Sequence, residues 1–205
     1  MRRGEDFSMV VGRAELMTNQ GRGSEQALAT LTCARLRDRP RARILIGGLG
    51  MGFTLRAALD ALGPNAEIVV AELIPGVVDW ARGPLSHLFG DALDDPRVEI
   101  RLDDVGRVIQ SGRAHYDAIL LDVDNGPQPL TRGRNGRLYD VWGVRRARFA
   151  LRPQGILAVW SGSPHRKFKA RLRLCGFAVD EERMRSPGQK GHVIWLATRP
   201  DNAAW

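Results

Sequence analysis

Gly48, Gly50 and Gly52 recur at every second position in Ile44-Leu-Ile-Gly-Gly-Leu-Gly-Met-Gly52. Such a run suits a backbone that must turn tightly and touch a ligand directly, since glycine enters conformations closed to other residues. Dinucleotide sites favour G-x-G-x-x-G, whereas G-x-G-x-G fits an adenosyl-sulfonium ligand better. Five acids complete the set of chemically useful side chains: Glu72, Asp103, Asp104, Asp122 and Asp124. Glu72 lies 20 residues after Gly52, where a carboxylate can accept hydrogen bonds from both hydroxyls of a ribose. Asp104 is placed to accept from an adenine amino group or to cap the following helix, with Asp103 as its near alternative. Asp122 and Asp124 leave an apolar run with Asn125 beside them. Carboxylates there can bind a cation, orient an amine or take its proton, or Asp124-Asn-Gly-Pro127 can simply shape an Asx turn.

Positioning these groups requires alternating strands and helices. Apolar runs at 43–47, 67–71, 98–102, 116–121 and 156–161 read as buried strands, as a parallel sheet needs. Helical periodicity falls between them, from Ser24 as N-cap, from Thr54 to Leu62, from Pro75 to Arg82, over 105–111, over 139–151 and over 164–175. Pro153-Gln-Gly155 reads as a turn, and 177–183 with 192–198 as a closing antiparallel pair. Phe7–Val11 and Ala14–Met17 read as a hairpin. The expected fold is α/β, a doubly wound and mostly parallel seven-stranded sheet of Rossmann-like type, with a small N-terminal β-hairpin. Residues 1–22 form the hairpin and linker, and 23–205 the ligand-binding domain. Ligands of such sheets sit beyond the C-terminal strand ends, which is where the glycines, Glu72, Asp104 and Asp122 fall.

Composition narrows the function. No apolar stretch approaches the roughly 20 residues that span a bilayer, and the first residues lack the apolar core of a signal peptide. Cys33 and Cys175 sit in apolar helical patterns and read as buried free thiols, which fits a reducing cytoplasm. The four histidines have no metal-ligand spacing, and no G-x-S-x-G marks a hydrolase. The net charge is +8. Residues 105–205 hold 18 basic and 8 acidic residues. No aromatic interleaving accompanies this basic stretch, so a solvated face is favoured over nucleic-acid binding. Trp160 and Trp195 fall on strands and read as core.

Several segments together resemble the spermidine synthases, the polyamine aminopropyltransferases with a class I methyltransferase-like fold. These are Ile46-Gly-Gly-Leu-Gly-Met-Gly-Phe-Thr-Leu-Arg56, Val70-Ala-Glu-Leu-Ile-Pro-Gly-Val-Val78, Asp94–Asp104, Tyr116-Asp-Ala-Ile-Leu-Leu-Asp122 and Leu151-Arg-Pro-Gln-Gly-Ile-Leu157. The resemblance implies that Gly48, Gly50, Glu72 and Asp104 hold the adenosyl-thioether part of a donor. That donor would be S-adenosylmethionine or its decarboxylated form, with methylthioadenosine as product. It also implies that Asp122 is the catalytic base, that a small amine is the acceptor and that the protein is a homodimer. The departures lie on the amine side. The family's D-E-x-x-Y-x-E segment aligns to Gln20-Gly-Arg-Gly-Ser-Glu25-Gln26, which leaves Glu25 as the nearest acid. The family's Ser/Cys, small residue, Asp-Pro after the base is replaced by Val123, Asp124 and Asn125-Gly-Pro127, and the acid expected two residues after Glu72 is Ile74. A methyltransferase, or a non-catalytic adenosyl-ligand or anion-binding protein, are the competing readings on the same fold.

Overall fold

Successive residues of the central strands face opposite ways, and both faces are apolar, so helices must cover the sheet on each side. The computed structural model shows this arrangement. It describes residues 2–3, 6–11, 14–18, 22–123, 126–127, 136–184 and 191–201, with side chains from Gly23 onward. Three short strands, β1 (Arg2–Arg3), β2 (Asp6–Val11) and β3 (Ala14–Thr18), form a separate antiparallel sheet. Helix α1 (Arg22–Ala34) follows. The main sheet contains β4 (Arg43–Gly47), β5 (Glu67–Glu72), β6 (Val98–Leu102), β7 (Tyr116–Leu121), β8 (Leu151–Ser161), β9 (Ala178–Met184) and β10 (His192–Thr198). Its order is β6-β5-β4-β7-β8-β10-β9. The first five of these strands are mutually parallel, and β10 runs antiparallel to both of its neighbours.

Ile44, Ile46, Ile68, Val70, Ala118, Leu120, Ala158 and Ile194 form one core with α1, α2 (Phe53–Ala61), α3 (Pro75–Arg82) and α4 (Ser86–Phe89). Leu45, Val69, Ile119, Leu121, Val159 and Trp195 form the other with α5 (Val105–Ser111), α7 (Val141–Ala150) and α8 (Arg166–Leu174). Trp195 is fully buried, as expected, whereas Trp160 is only partly buried.

At the N-terminal edge of the sheet the buried Asp117 is fully engaged. It accepts from Arg39, from the Arg43 backbone N–H at 2.8 Å and from Arg152 at 2.7 Å. Three loops and strands are thereby tied around β7.

Three local expectations are corrected. Helix α1 starts at Arg22, so Ser24 lies inside its first turn and is buried rather than capping. First-turn N–H groups have no intrahelical partner, which makes the start of a helix easy to shift by a few residues. The helix expected over 139–151 is split into α6 (Gly136–Tyr139) and α7, because the Asp140 carboxylate accepts from the Gly143 N–H at 2.7 Å and caps α7. Pro153-Gln-Gly155 is not a turn but an irregular part of β8. Gln154 takes a φ of +57° there, and its N–H and the Gly155 carbonyl pair with Arg199. The register with β7 shifts at the same place, as a bulge requires.

Candidate functional site

The C-terminal ends of β4, β5, β6 and β7 bring most of the expected residues to one edge. After β4 the chain turns through Gly48, Gly50 and Gly52, with φ of +89°, +52° and +78°. A β-carbon on Gly48 would lie 2.6 Å from the Asp122 carbonyl oxygen, and one on Gly52 would lie 2.4 Å from the Phe89 ring. The turn is therefore pressed between the end of β7 and α4, and α2 starts directly after it.

Glu72 ends β5 and is 7% exposed. One carboxylate oxygen accepts from the Leu49 N–H at 2.8 Å, the other from the Ile74 N–H at 2.9 Å. Glu72 thus clamps the glycine turn to the second strand. A carboxylate has about four acceptor sites, so two backbone donors leave capacity for hydroxyl donors. Leu73, Ile74 and Leu102 are 50%, 44% and 57% exposed beside it. They form an apolar lip next to polar acceptors, which suits the flat face of a heterocycle with a ribose attached. Asp104 caps α5, with its Oδ1 accepting from the Gly106 N–H at 2.7 Å. Asp103 accepts from the Asp104 N–H at 2.7 Å and lies 3.8 Å from Arg107. Capping occupies one oxygen of Asp104 and does not preclude ligand contact.

Asp122 stands just past β7, its N–H bonded to the Gly47 carbonyl at 3.1 Å. Its Oδ2 accepts from the Thr54 hydroxyl at 2.7 Å, and Thr54 Oγ1 also lies 3.3 Å from the Glu25 carbonyl oxygen. Thr54 is 3% exposed, so a buried hydroxyl ties α1, α2 and β7 together. Burial pushes the Asp122 carboxyl above its ordinary range, and the Thr54 hydrogen bond opposes that shift. The Glu25 side chain is in the same place. Its Oε2 is buried without a hydrogen-bond partner among the described residues. Burial raises Glu25 more strongly still, and the negative charge of Asp122 adds to the rise. Asp124 and Asn125 lie outside the described residues.

Thr54 is the functional residue that sequence reasoning missed. It stands in the motif as the second residue after Gly52, and its partners are 29 and 68 residues away in the chain.

The basic second half is partly neutralised on the described surface, where Lys169 and Arg183 each approach Glu181 at 3.0 Å. No group of three or more His, Cys, Asp or Glu residues that could hold a metal occurs among the described residues. Nor is any described helix long and apolar enough to cross a membrane. Cys33 and Cys175 are buried and free.

This sheet order and this edge define the class: an α/β protein with the class I methyltransferase-like fold shared by spermidine synthases. A spermidine synthase in complex with the transition-state analogue AdoDATO superposes with a TM-score of 0.73 at 20% identity, over 92% of this chain and 64% of that one. Human methyltransferase-like protein 13 in complex with SAH gives 0.65 at 18% identity, over 88% of this chain and 85% of that one. No protein-family model matches the chain. Among sequence relatives, a polyamine aminopropyltransferase of Mycobacterium tuberculosis is 29% identical over 188 residues, 87% of this chain and 34% of that protein. One of Nitrosomonas europaea is 34% identical over 126 residues, 61% of this chain and 36% of that protein. These relatives place the chain with the polyamine aminopropyltransferase, or spermidine synthase, family. The chain spans about a third of the length of the curated relatives it matches.

Proposed function

We propose that the protein is a transferase that takes an adenosyl-sulfonium donor and moves its aminopropyl group to an amine acceptor. The observation that carries this reading is the contact between the glycine turn and Asp122. A buried carboxylate with raised basicity abuts the turn where the donor's backbone contacts would be made. In this reading the donor, decarboxylated S-adenosylmethionine, lies across Gly48, Gly50 and Gly52. Glu72 accepts from its ribose, Asp104 (with Asp103 nearby) faces the adenine, and Leu73, Ile74 and Leu102 cover the ring. The amine attacks the carbon beside the positive sulfur. A C–N bond forms, the C–S bond breaks, and its electron pair stays on sulfur in methylthioadenosine. The nitrogen's proton passes to Asp122. Holding amine and carbon in line supplies much of the rate, and a positioned base adds about 10²–10⁴-fold. Asp124 and Asn125, next along the chain, are assigned to shaping the acceptor loop.

Methyl transfer from S-adenosylmethionine is favoured by one observation: the chain covers 85% of a methyltransferase-like protein but about a third of the aminopropyltransferases. Calorimetry with S-adenosylmethionine, its decarboxylated form and methylthioadenosine separates the two donors. A screen of diamines and polyamines, following methylthioadenosine release, then tests transfer. Turnover with an amine, reduced about 10²–10⁴-fold in Asp122→Asn, supports the proposal. Tight S-adenosylmethionine binding with no amine turnover overturns it. The reading also entails a reducing cytoplasmic setting, supported by the two buried free thiols, and a homodimer, which light scattering would test.

A further inference from the structure

Asp122 is not the only carboxyl at the acceptor end. Glu25 lies in the first turn of α1, with Thr54 of α2 within reach of both its backbone carbonyl and the Asp122 carboxylate. The strands show which face they share. Leu120 and Ala158 point to the α1–α2 side of the sheet. Two residues on, Asp122 and Trp160 face the same way, side by side, because Leu121 pairs with Val159. Trp160 packs against that core, with its ring centroid 5.0 Å from that of His192. Its indole Nε1 is buried without a hydrogen-bond partner among the described residues, as is Glu25 Oε2. The acceptor end therefore offers two carboxyls, one hydroxyl and an aromatic wall, with polar atoms left unsatisfied.

The surrounding charges do not neutralise the pair. Asp122 is the one charged group among the described residues that acts on Glu25 through space. On α2, Arg56 is turned away to the Leu88 carbonyl at 2.7 Å. On α1, Arg35 pairs with Asp180 at 2.9 Å. On β10, His192 is held below its ordinary range by burial alone. Two desolvated carboxylates without a cation cannot both remain ionised at neutral pH, and they titrate as a unit.

Resting on the amine-transfer reading, we infer that Glu25 and Asp122 together hold one proton in the acceptor-free protein, and that a cationic amine displaces it on binding. Glu25 then selects the acceptor by charge. A protonated amine restores neutrality to the dianion, while a neutral alcohol or amide leaves the proton in place. The balance closes in the reaction. An ammonium binds and one proton leaves to solvent. The ammonium then gives a proton back to the carboxyl pair, and the freed lone pair forms the C–N bond as the C–S bond breaks.

Two measurements test this on the full chain. First, 1,4-diaminobutane is titrated calorimetrically in the presence of methylthioadenosine, in two buffers of different protonation enthalpy at neutral pH. The wild type should release about one proton per diamine bound, and Glu25→Gln much less, with an affinity lowered several-fold. Binding without proton release, or equal release by Glu25→Gln, overturns the inference. Second, carboxyl carbon NMR follows Glu25 and Asp122 in the ligand-free protein. Two steps above the ordinary carboxylate range are expected, with the upper one lost in Glu25→Gln and lowered in Asp122→Asn. Independent titration of both groups in the ordinary range also overturns it. If the coupled steps are present but no diamine binds, the amine-transfer reading falls and the selection role assigned to Glu25 falls with it, while the proton-sharing pair stands.

Discussion

Replacing Thr54 by valine removes one hydroxyl and keeps nearly the same shape, so it isolates the 2.7 Å bond to Asp122 Oδ2. A hydrogen bond to an ionised group contributes about 1.5–3 kcal/mol, and one to a neutral group about 0.5–1.5 kcal/mol. The Thr54 bond lowers the pKa of Asp122, so it favours the ionised form. Two consequences have a fixed sign. The stability lost in Thr54→Val should be about 1.5–3 kcal/mol where Asp122 is ionised and smaller where it is protonated. The difference of about 1 kcal/mol between those regimes corresponds to somewhat under one pKa unit, since a unit is about 1.4 kcal/mol. Asp122 should therefore titrate higher in the variant, and the acid limb of the turnover–pH profile should move to higher pH with it. Urea unfolding of both proteins at pH 5 and pH 8 measures the first effect, and carboxyl carbon NMR the second. An equal loss of stability at both pH values, with Asp122 titrating as before, would refute the reasoning. It would mean that the hydroxyl serves the Glu25 carbonyl rather than the carboxylate.

Other substitutions probe the remaining parts. Glu72→Ala should weaken methylthioadenosine binding by about 1.5–3 kcal/mol, while Glu72→Gln, which keeps one acceptor for the turn, should lose less; calorimetry compares them. Gly52→Ala places a methyl group 2.4 Å from the Phe89 ring at a φ of +78°, and should cost at least about 2 kcal/mol by thermal unfolding. Asp117→Ala strands Arg39 and Arg152 at the opposite end of β7 and should cost about 3–5 kcal/mol in denaturant, with adenosyl-ligand affinity unchanged in the folded fraction. Glu25→Gln should gain stability over the wild type as pH rises. The folded state holds the Glu25 proton above the unfolded carboxylate range, so wild-type stability falls from about pH 4.3 upward. The difference in Tm between variant and wild type should be more positive at pH 8 than at pH 5.

The strands were readable because their chemistry is local. Ile44–Ile46, Ile68–Ala71 and Ala118–Leu121 are apolar runs ended by glycine or acid, and burial on both faces demands nothing more specific. The errors arose where a distant partner overrules a local preference. Pro153 and Gly155 are turn residues, yet Arg199 on the next segment pairs with the bulge and keeps the strand going. Asp140 read as a helix interior residue and acts as a cap because its carboxylate reaches the Gly143 N–H. The donor half of the site was legible for the same local reason: its turn glycines and strand-end acids each act from their own element. Thr54 was not legible, since its meaning lies in contacts with α1 and with the end of β7. Glu25 was visible only as the nearest acid to a family motif, and its coupling to Asp122 follows from the packing of α1 on α2.

The two ends of β7 sharpen the case for a cationic acceptor. At one end Asp117 is desolvated and satisfied, with two guanidinium groups and a backbone N–H around it. At the other end Asp122 is desolvated beside a second buried carboxyl, with a single hydroxyl to share. The chain does not lack cations, for it carries 31 basic residues against 23 acids. A fold that pairs one buried acid with arginine on a strand and leaves two acids unpaired at its far tip sustains a cost that folding alone does not require. Such perturbed, uncompensated groups concentrate at functional sites. An arginine at that tip would stabilise the protein and hold both carboxylates ionised, but it would also occupy the place of an incoming ammonium. The expected outcome of installing one is therefore opposed in its two readouts. Trp160→Arg, next to Asp122 on the same face, should lower the titration of the carboxyl pair toward the ordinary range while weakening the binding of 1,4-diaminobutane. A variant in which the pair ionises normally and the diamine binds as before would show that the acids are not its seat.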